Sequence, residues 1–206
     1  MIPNPYLYLF AAIFCVIFQI ICYSINRRHG SDKVSIKKIC LTHIFIFYLS
    51  LVYEVTTVYG VFWQIWGNGI SNISFERIHL IPFTTFTMSN PIPYLLNIVM
   101  TIPLGFLLPL IWSDFRSIKK VALVGFCLSL TIEVTQLFTY WRLSCTDDLI
   151  ANTLGAVLGC LIFKVFVKIF RKIEAKPFSV IIKHEAVYYL VLSFVGVFVL
   201  YHNRIV

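Results

Sequence analysis

Carboxylate and amide side chains recur at helical spacing in this chain, and together they offer several kinds of chemistry. Glu133 and Gln136 are three residues apart, so they share one face of a helix. Asp148 and Asn152 are four apart, and Asn97 begins another such stripe with Thr101 and Gly105. Carboxylates and amides together hold a divalent cation, or they bind a cationic or hydroxyl-rich ligand. A carboxylate such as that of Glu133 also serves as a general base.

The elements that position these residues are long apolar stretches. The 206 residues are 59% hydrophobic and only 13% charged, which is more apolar surface than a soluble domain of this size can bury. A helix that spans a bilayer needs about 20 mostly apolar residues. Six stretches have this character, although the sixth is short, and they predict an all-α integral membrane bundle. They are Tyr6–Tyr23, Ile39–Trp63, Ile92–Trp112, Val121–Tyr140, Leu149–Phe170 and Ala186–Tyr201.

The basic residues predict which way the spans run. All but three of the 17 follow or end the first, third and fifth spans; the exceptions are Arg77, Arg142 and Arg204. Loops rich in Lys and Arg stay in the cytoplasm, so both termini are expected outside. The basic loops are expected to contact anionic membrane lipids. No basic groove interleaved with aromatic residues suggests a nucleic-acid partner.

In this topology the buried polar residues lie toward the outer face. A charge near the bilayer centre costs about 2.5–3.5 kcal/mol, so such residues are usually functional or paired. We predict a polar pocket that opens to the outside and is lined by spans three, four and five. Its residues are Asn97, Glu133, Gln136, Arg142, Asp147, Asp148 and Asn152. Glu133 is expected about 10 Å below the end of its helix, seven residues before Tyr140.

Structural interpretations stand beside this one. Thr146 or Asp147 is suited to cap the fifth helix. The glycines of Gly155-Ala-Val-Leu-Gly159 favour close helix packing, and the amides Asn97 and Gln136 are suited to interhelical hydrogen bonds.

Other chemistry is poorly marked in the sequence. No nucleophile elbow, phosphate loop or zinc signature occurs, and no cysteine pair has CxxC spacing. We therefore expect neither a metal nor a cofactor. The longest loop, Gln64–Pro91, contains an apolar run, Ile78–Met88, which predicts an interfacial or re-entrant segment.

These residues resemble the motifs of the VanZ-like family. The resemblance follows Ile81-Pro-Phe83, then Asn97-xxxxx-Pro103-Leu-Gly105-Phe, then Glu133-xx-Gln136. It ends with Arg142-xxxx-Asp147-Asp148-xxx-Asn152-Thr-xx-Gly155-xxx-Gly159. One departure is visible, because Cys145 stands where the family often has an acid. Residues 48–170 carry the resemblance within a single membrane domain, 1–206, and the predicted helices 6–23 and 186–201 flank them.

The resemblance implies a bacterial membrane protein, in a family whose named member is associated with low-level resistance to teicoplanin, a lipoglycopeptide antibiotic. A binding or envelope-modifying protein is one hypothesis, with Glu133, Asp147 and Asp148 as binding groups that Arg142 orients. An intramembrane enzyme that acts on a lipid-linked envelope precursor is a second, with Glu133 as general base. A small transporter is a third, although the inner half offers few polar residues for a path. The oligomeric state stays open.

Overall fold

In the computed structural model, residues 5–28, 35–56, 58, 78–79, 81–82, 91–138, 144–170 and 184–202 are described. These ranges contain six α-helices, one 3₁₀ turn and two short strands. The helices are α1 Pro5–Arg28, α2 Ile36–Val55, α3 Ile92–Ile111, α4 Ile118–Gln136, α5 Thr146–Ile169 and α6 Glu185–His202. The 3₁₀ turn is Ser113–Phe115, and the strands are β1 Ile78–His79 and β2 Ser144–Cys145.

The predicted all-α membrane bundle is confirmed. Among the described residues α1, α2, α3 and α5 are long and apolar enough to cross a membrane, by length and composition. Helix α4 is nearly as long, but it carries Lys119, Lys120 and Glu133. Helix α6 is apolar over a shorter stretch, Glu185–Val197. Each of the six predicted spans thus corresponds to one helix.

Two helices end earlier than predicted. Helix α2 ends at Val55 rather than Trp63, and α4 ends at Gln136 rather than Tyr140. Thr56 explains the first difference, because its hydroxyl donates to the Val52 carbonyl at 2.7 Å and its own carbonyl accepts from Gln136 Nε2 at 3.1 Å. The Thr56 carbonyl thereby has a partner without another helical turn.

Helices α3 and α5 run parallel and approach each other at their glycines. A Cβ atom on Gly105 would overlap the backbone of Ala156, and one on Gly159 would overlap the Ile102 carbonyl. A Cβ on Gly155 would overlap the Thr101 hydroxyl. The GxxxG motif therefore packs helices closely, as its spacing indicates. Helix α4 lies antiparallel to α5, with Gly125 against Ala156.

Helices α1, α2 and α6 form the other side of the bundle. Helix α1 packs against α6, where Gly196 faces the backbone of Ala11. An aromatic group then joins this side to the end of α3. Trp112 lies 5.3 Å from Phe45 of α2 and 5.8 Å from Tyr189 of α6, between ring centroids.

The two strands form a short parallel ladder that ties two loops together. Ile78 pairs with Ser144, and His79 pairs with Cys145. The predicted interfacial run Ile78–Met88 therefore begins as a strand, which the sequence did not indicate. Residues 80 and 83–88 of that run lie outside the described part of the chain.

Candidate functional site

Polar side chains meet where the second turn of α3 lies beside the first turn of α5. Asn97 Nδ2 donates to Asp148 Oδ1 at 2.6 Å, so the amide and the carboxylate join the two helices. Both side chains are half-buried. A hydrogen bond to an ionised acceptor is stronger than one between neutral groups. It therefore fixes the carboxylate of Asp148 relative to α3.

One turn further along, Asn152 occupies the centre of the three-helix contact. Thr101 Oγ1 donates to the backbone carbonyl of Asn152 at 2.8 Å, and Asn152 Nδ2 donates to Ser129 Oγ of α4 at 2.9 Å. The residue is 2% exposed, and its Oδ1 has no hydrogen-bond partner within the described ranges. A buried acceptor of this kind is costly unless water or a ligand supplies a donor.

Asp147 lies in the first turn of α5, directly before Asp148 in the chain, and is 2% exposed. The partial positive charge at a helix N-terminus stabilises a carboxylate there. The N-cap position is taken by Cys145, not by Thr146 or Asp147, which were the predicted caps. The Thr146 hydroxyl donates instead to the backbone carbonyl of His79 at 3.1 Å, which reinforces the contact between the two strands.

Glu133 holds strand β2 in place. Its Oε2 accepts from Ser144 Oγ and from the backbone N–H of Cys145, each at 2.9 Å. The expectation that Glu133 lies two turns inside its helix is wrong, because α4 ends three residues later. The carboxylate is nevertheless 6% exposed, and it bonds to the strand that precedes α5. Glu133 thus positions the start of α5.

Gln136 connects α4 to α2. Its Nε2 donates to the Thr56 carbonyl, which is the interhelical role that the sequence offered as the structural alternative. It is 5% exposed and bonds to α2, whereas Asn97, Asp148 and Asn152 bond among α3, α4 and α5. Arg142 lies outside the described residues, so its predicted role at the site stays a prediction.

Hydrogen bonds divide the described site residues into two groups. Asn97, Asp148 and Asn152 bond among α3, α4 and α5 together with Ser129, and we call these four the polar cluster; three of them were predicted. Glu133 and Gln136 bond instead to strand β2 and to the end of α2. Ser129 was missed, although it stands four residues before Glu133 and continues the same face of α4. Ser144 was also missed, since its contact depends on a loop that folds back onto α4.

The chemistry of the polar cluster is that of hydrogen-bond acceptance. Ionised carboxylates only accept, and Asn152 Oδ1 adds another acceptor. In the described part of the chain, no three or more His, Cys, Asp or Glu residues are grouped so as to hold a metal ion. Residues 59–77, 83–90 and 139–143, which adjoin this end of the bundle in sequence, lie outside the described ranges. The arrangement suits a ligand that donates a hydrogen bond to Asn152 Oδ1.

Comparison with known proteins agrees with the family resemblance of the sequence motifs. A family model described as VanZ/LLP1 matches residues 6–168, a range that includes nearly all of α1 and all of the polar cluster. Protein VanZ of Enterococcus faecium is 30% identical over 119 residues, which cover 56% of this chain and 71% of that protein. No solved structure matches the chain.

Proposed function

Because this chain belongs to the VanZ-like family, we propose that it reduces the action of teicoplanin at the bacterial cell envelope. The protein would be a multi-pass protein of the cell membrane, with both termini outside. The polar cluster would then face outward, where a lipoglycopeptide or an envelope precursor is present. The antibiotic link rests on the family resemblance, and the polar cluster supplies a chemical reason for it.

The observation that carries the proposal is the buried acceptor set at the start of α5. Asn152 Oδ1 lacks a partner within the described ranges, and it lies one turn from the carboxylate of Asp148. Glycopeptides and sugar-bearing precursors are rich in amide, amine and hydroxyl donors. A donor from such a ligand would satisfy Asn152 Oδ1. The nearby carboxylate of Asp148 would strengthen the binding of that donor by electrostatic attraction.

Glu133 has a positioning role in this proposal. Its Oε2 already accepts two hydrogen bonds from the residues that lead into α5. This engagement supports a role in holding Asp147 and Asp148 where they are, rather than the role of general base in an enzyme. Arg142 remains a candidate for orienting the ligand.

The test is antibiotic susceptibility in a teicoplanin-sensitive Gram-positive host that expresses the chain. We expect the inhibitory concentration of teicoplanin to rise and that of vancomycin to stay near its starting value. Asp148→Asn should abolish the rise, because it removes the charge that Asn97 holds in place. Asp114→Asn is the matched control, since Asp114 is an exposed acid in the 3₁₀ turn after α3.

Membrane abundance of each variant must be equal on a blot. An Asp148→Asn chain that protects as well as the parent would refute the role of the polar cluster. A well-expressed parent chain that gives no protection would refute the antibiotic function itself. In that case, a comparison of envelope lipids between expressing and null cells would test the enzyme hypothesis.

A further inference from the structure

A second candidate site lies between α1, α2 and α6, at the opposite end of the bundle from the polar cluster. It is a cavity of ≈ 220 Å³, with room for on the order of seven water-sized groups. Its charged lining comes from Lys38 and Glu185, and further polar groups come from Gln19, Thr42, Tyr23 and Tyr189. Apolar walls are contributed by α1 and α2, notably Ile20 and Ile39.

Two buried charges meet at this cavity. Lys38 Nζ lies 2.6 Å from Glu185 Oε2, and the side chains are 4% and 3% exposed. Removing two charges from water costs several kcal/mol per ion, and a buried pair rarely stabilises a fold more than apolar residues would. A pair of this kind that also lines a cavity is therefore a candidate for binding.

The position of the cavity indicates what can reach it. Lys38 is in the first turn of α2, and Glu185 is the first residue of α6. Exposed Lys37, Lys119 and Lys120 stand at the same end of the bundle. The cavity thus lies at the depth of lipid headgroups, on the side that the charge distribution predicts to be cytoplasmic.

The mouth of the cavity faces the lipid. Ile20 lines the cavity and is 59% exposed, and Ile17, one turn earlier on α1, is 52% exposed. An acyl chain can lie along this apolar surface while its headgroup enters the cavity. The apolar surface therefore suits the acyl chain of a phospholipid, and the charged cavity suits its headgroup.

The two charges also select among headgroups. A simple anion would pair with Lys38 but would leave the cavity with a net negative charge beside Glu185. A simple cation would leave a net positive charge. A zwitterion adds no net charge, because its phosphate accepts from Lys38 and its ammonium donates to Glu185.

We infer that the cavity formed by α1, α2 and α6 binds a zwitterionic phospholipid whose headgroup joins a phosphate to a primary ammonium. A primary ammonium is required because it donates hydrogen bonds to the carboxylate of Glu185, which a quaternary ammonium cannot do. This site is independent of the polar cluster and of the antibiotic function proposed above.

The experiment measures lipid binding to the full chain in detergent by native mass spectrometry. Phosphatidylethanolamine, phosphatidylcholine and phosphatidylglycerol are compared, together with water-soluble glycerophosphoethanolamine. We expect phosphatidylethanolamine to bind at least about tenfold more tightly than each of the other three. Equal binding of phosphatidylglycerol would overturn the zwitterion assignment, and equal binding of glycerophosphoethanolamine would overturn the assignment to a lipid.

The matched variant is Lys38→Met with Glu185→Leu. Replacing a buried ion pair by apolar residues of similar size is often neutral for stability, whereas Lys38→Met alone would leave a buried charge unpaired. We expect the double variant to elute as a folded protein and to lose the preference for phosphatidylethanolamine. Binding that survives in this variant, or no lipid bound to the parent chain, would overturn the site.

Discussion

Replacing Glu133 should release the strand that leads into α5. Glu133→Ala removes the acceptor of the Cys145 N–H and of the Ser144 hydroxyl. Ser144 is half-buried and can turn toward water, but Cys145 is 7% exposed, so its N–H would lose this acceptor at a position from which water is largely excluded. A hydrogen bond to a charged group contributes about 1.5–3 kcal/mol. The equilibrium for local opening should therefore shift by roughly 10- to 100-fold.

Cys145 itself reports this opening. In a chain whose other five cysteines are replaced by Ala or Ser, a hydrophilic maleimide can react only at Cys145. The buried thiol reacts when the strand opens, so the labelling rate in detergent follows the opening equilibrium. We expect Glu133→Ala to speed labelling by roughly 10- to 100-fold over the single-cysteine parent.

Glu133→Gln is the matched control, because its amide oxygen still accepts from Cys145 but carries no charge. Neutral hydrogen bonds contribute about 0.5–1.5 kcal/mol, so the rate should rise less than about tenfold. A Glu133→Ala rate within about twofold of the parent would refute the positioning role. Equal rates for the Ala and Gln variants would show that the acceptor oxygen is not what holds the strand.

Three further outcomes are expected. Gly155→Ala should lower the free energy of unfolding in mixed micelles by about 1–3 kcal/mol, since its Cβ overlaps the backbone and hydroxyl of α3; an unchanged value would contradict the close packing. Ser129→Ala should cost about 1–3 kcal/mol in the same assay because Asn152 Nδ2 loses its acceptor, and Ser129→Thr, which retains the hydroxyl, should cost less. Asp114→Cys in a cysteine-free chain should react with an impermeant maleimide only after cells are lysed, if the basic end is cytoplasmic; labelling of intact cells would reverse the topology.

Local spacing predicted the contact between α3 and α5 well. The stripe Asn97, Thr101 and Gly105 faces the stripe Asp148, Asn152 and Gly155, as two polar and small-residue faces must when lipid surrounds them. Such stripes are set by the 3.6-residue period of a helix, so they can be read without knowing the rest of the fold.

Partners that depend on distant parts of the chain could not be read in this way. Gln136 bonds to the Thr56 carbonyl, which becomes available only because α2 ends at Val55. The ladder of Ile78–His79 with Ser144–Cys145 is two residues long, too short for a recognisable strand pattern. By its position in sequence, Lys38 belongs with the basic residues that follow the first span. No residue near Lys38 in sequence indicates that Glu185 is its partner.

The Lys38–Glu185 pair also has a consequence for how the protein is made. The two residues are 147 positions apart, so α2 leaves the ribosome long before its countercharge has been synthesised. Helix α1 is synthesised earlier still, and it packs against α6. The Lys38–Glu185 pair and the contact between α1 and α6 can form only after α6 has been synthesised. Nascent chains that stop short of α6 would expose an uncompensated lysine and an uncovered face of α1, and both are features by which membrane quality control can distinguish unfinished chains from finished ones.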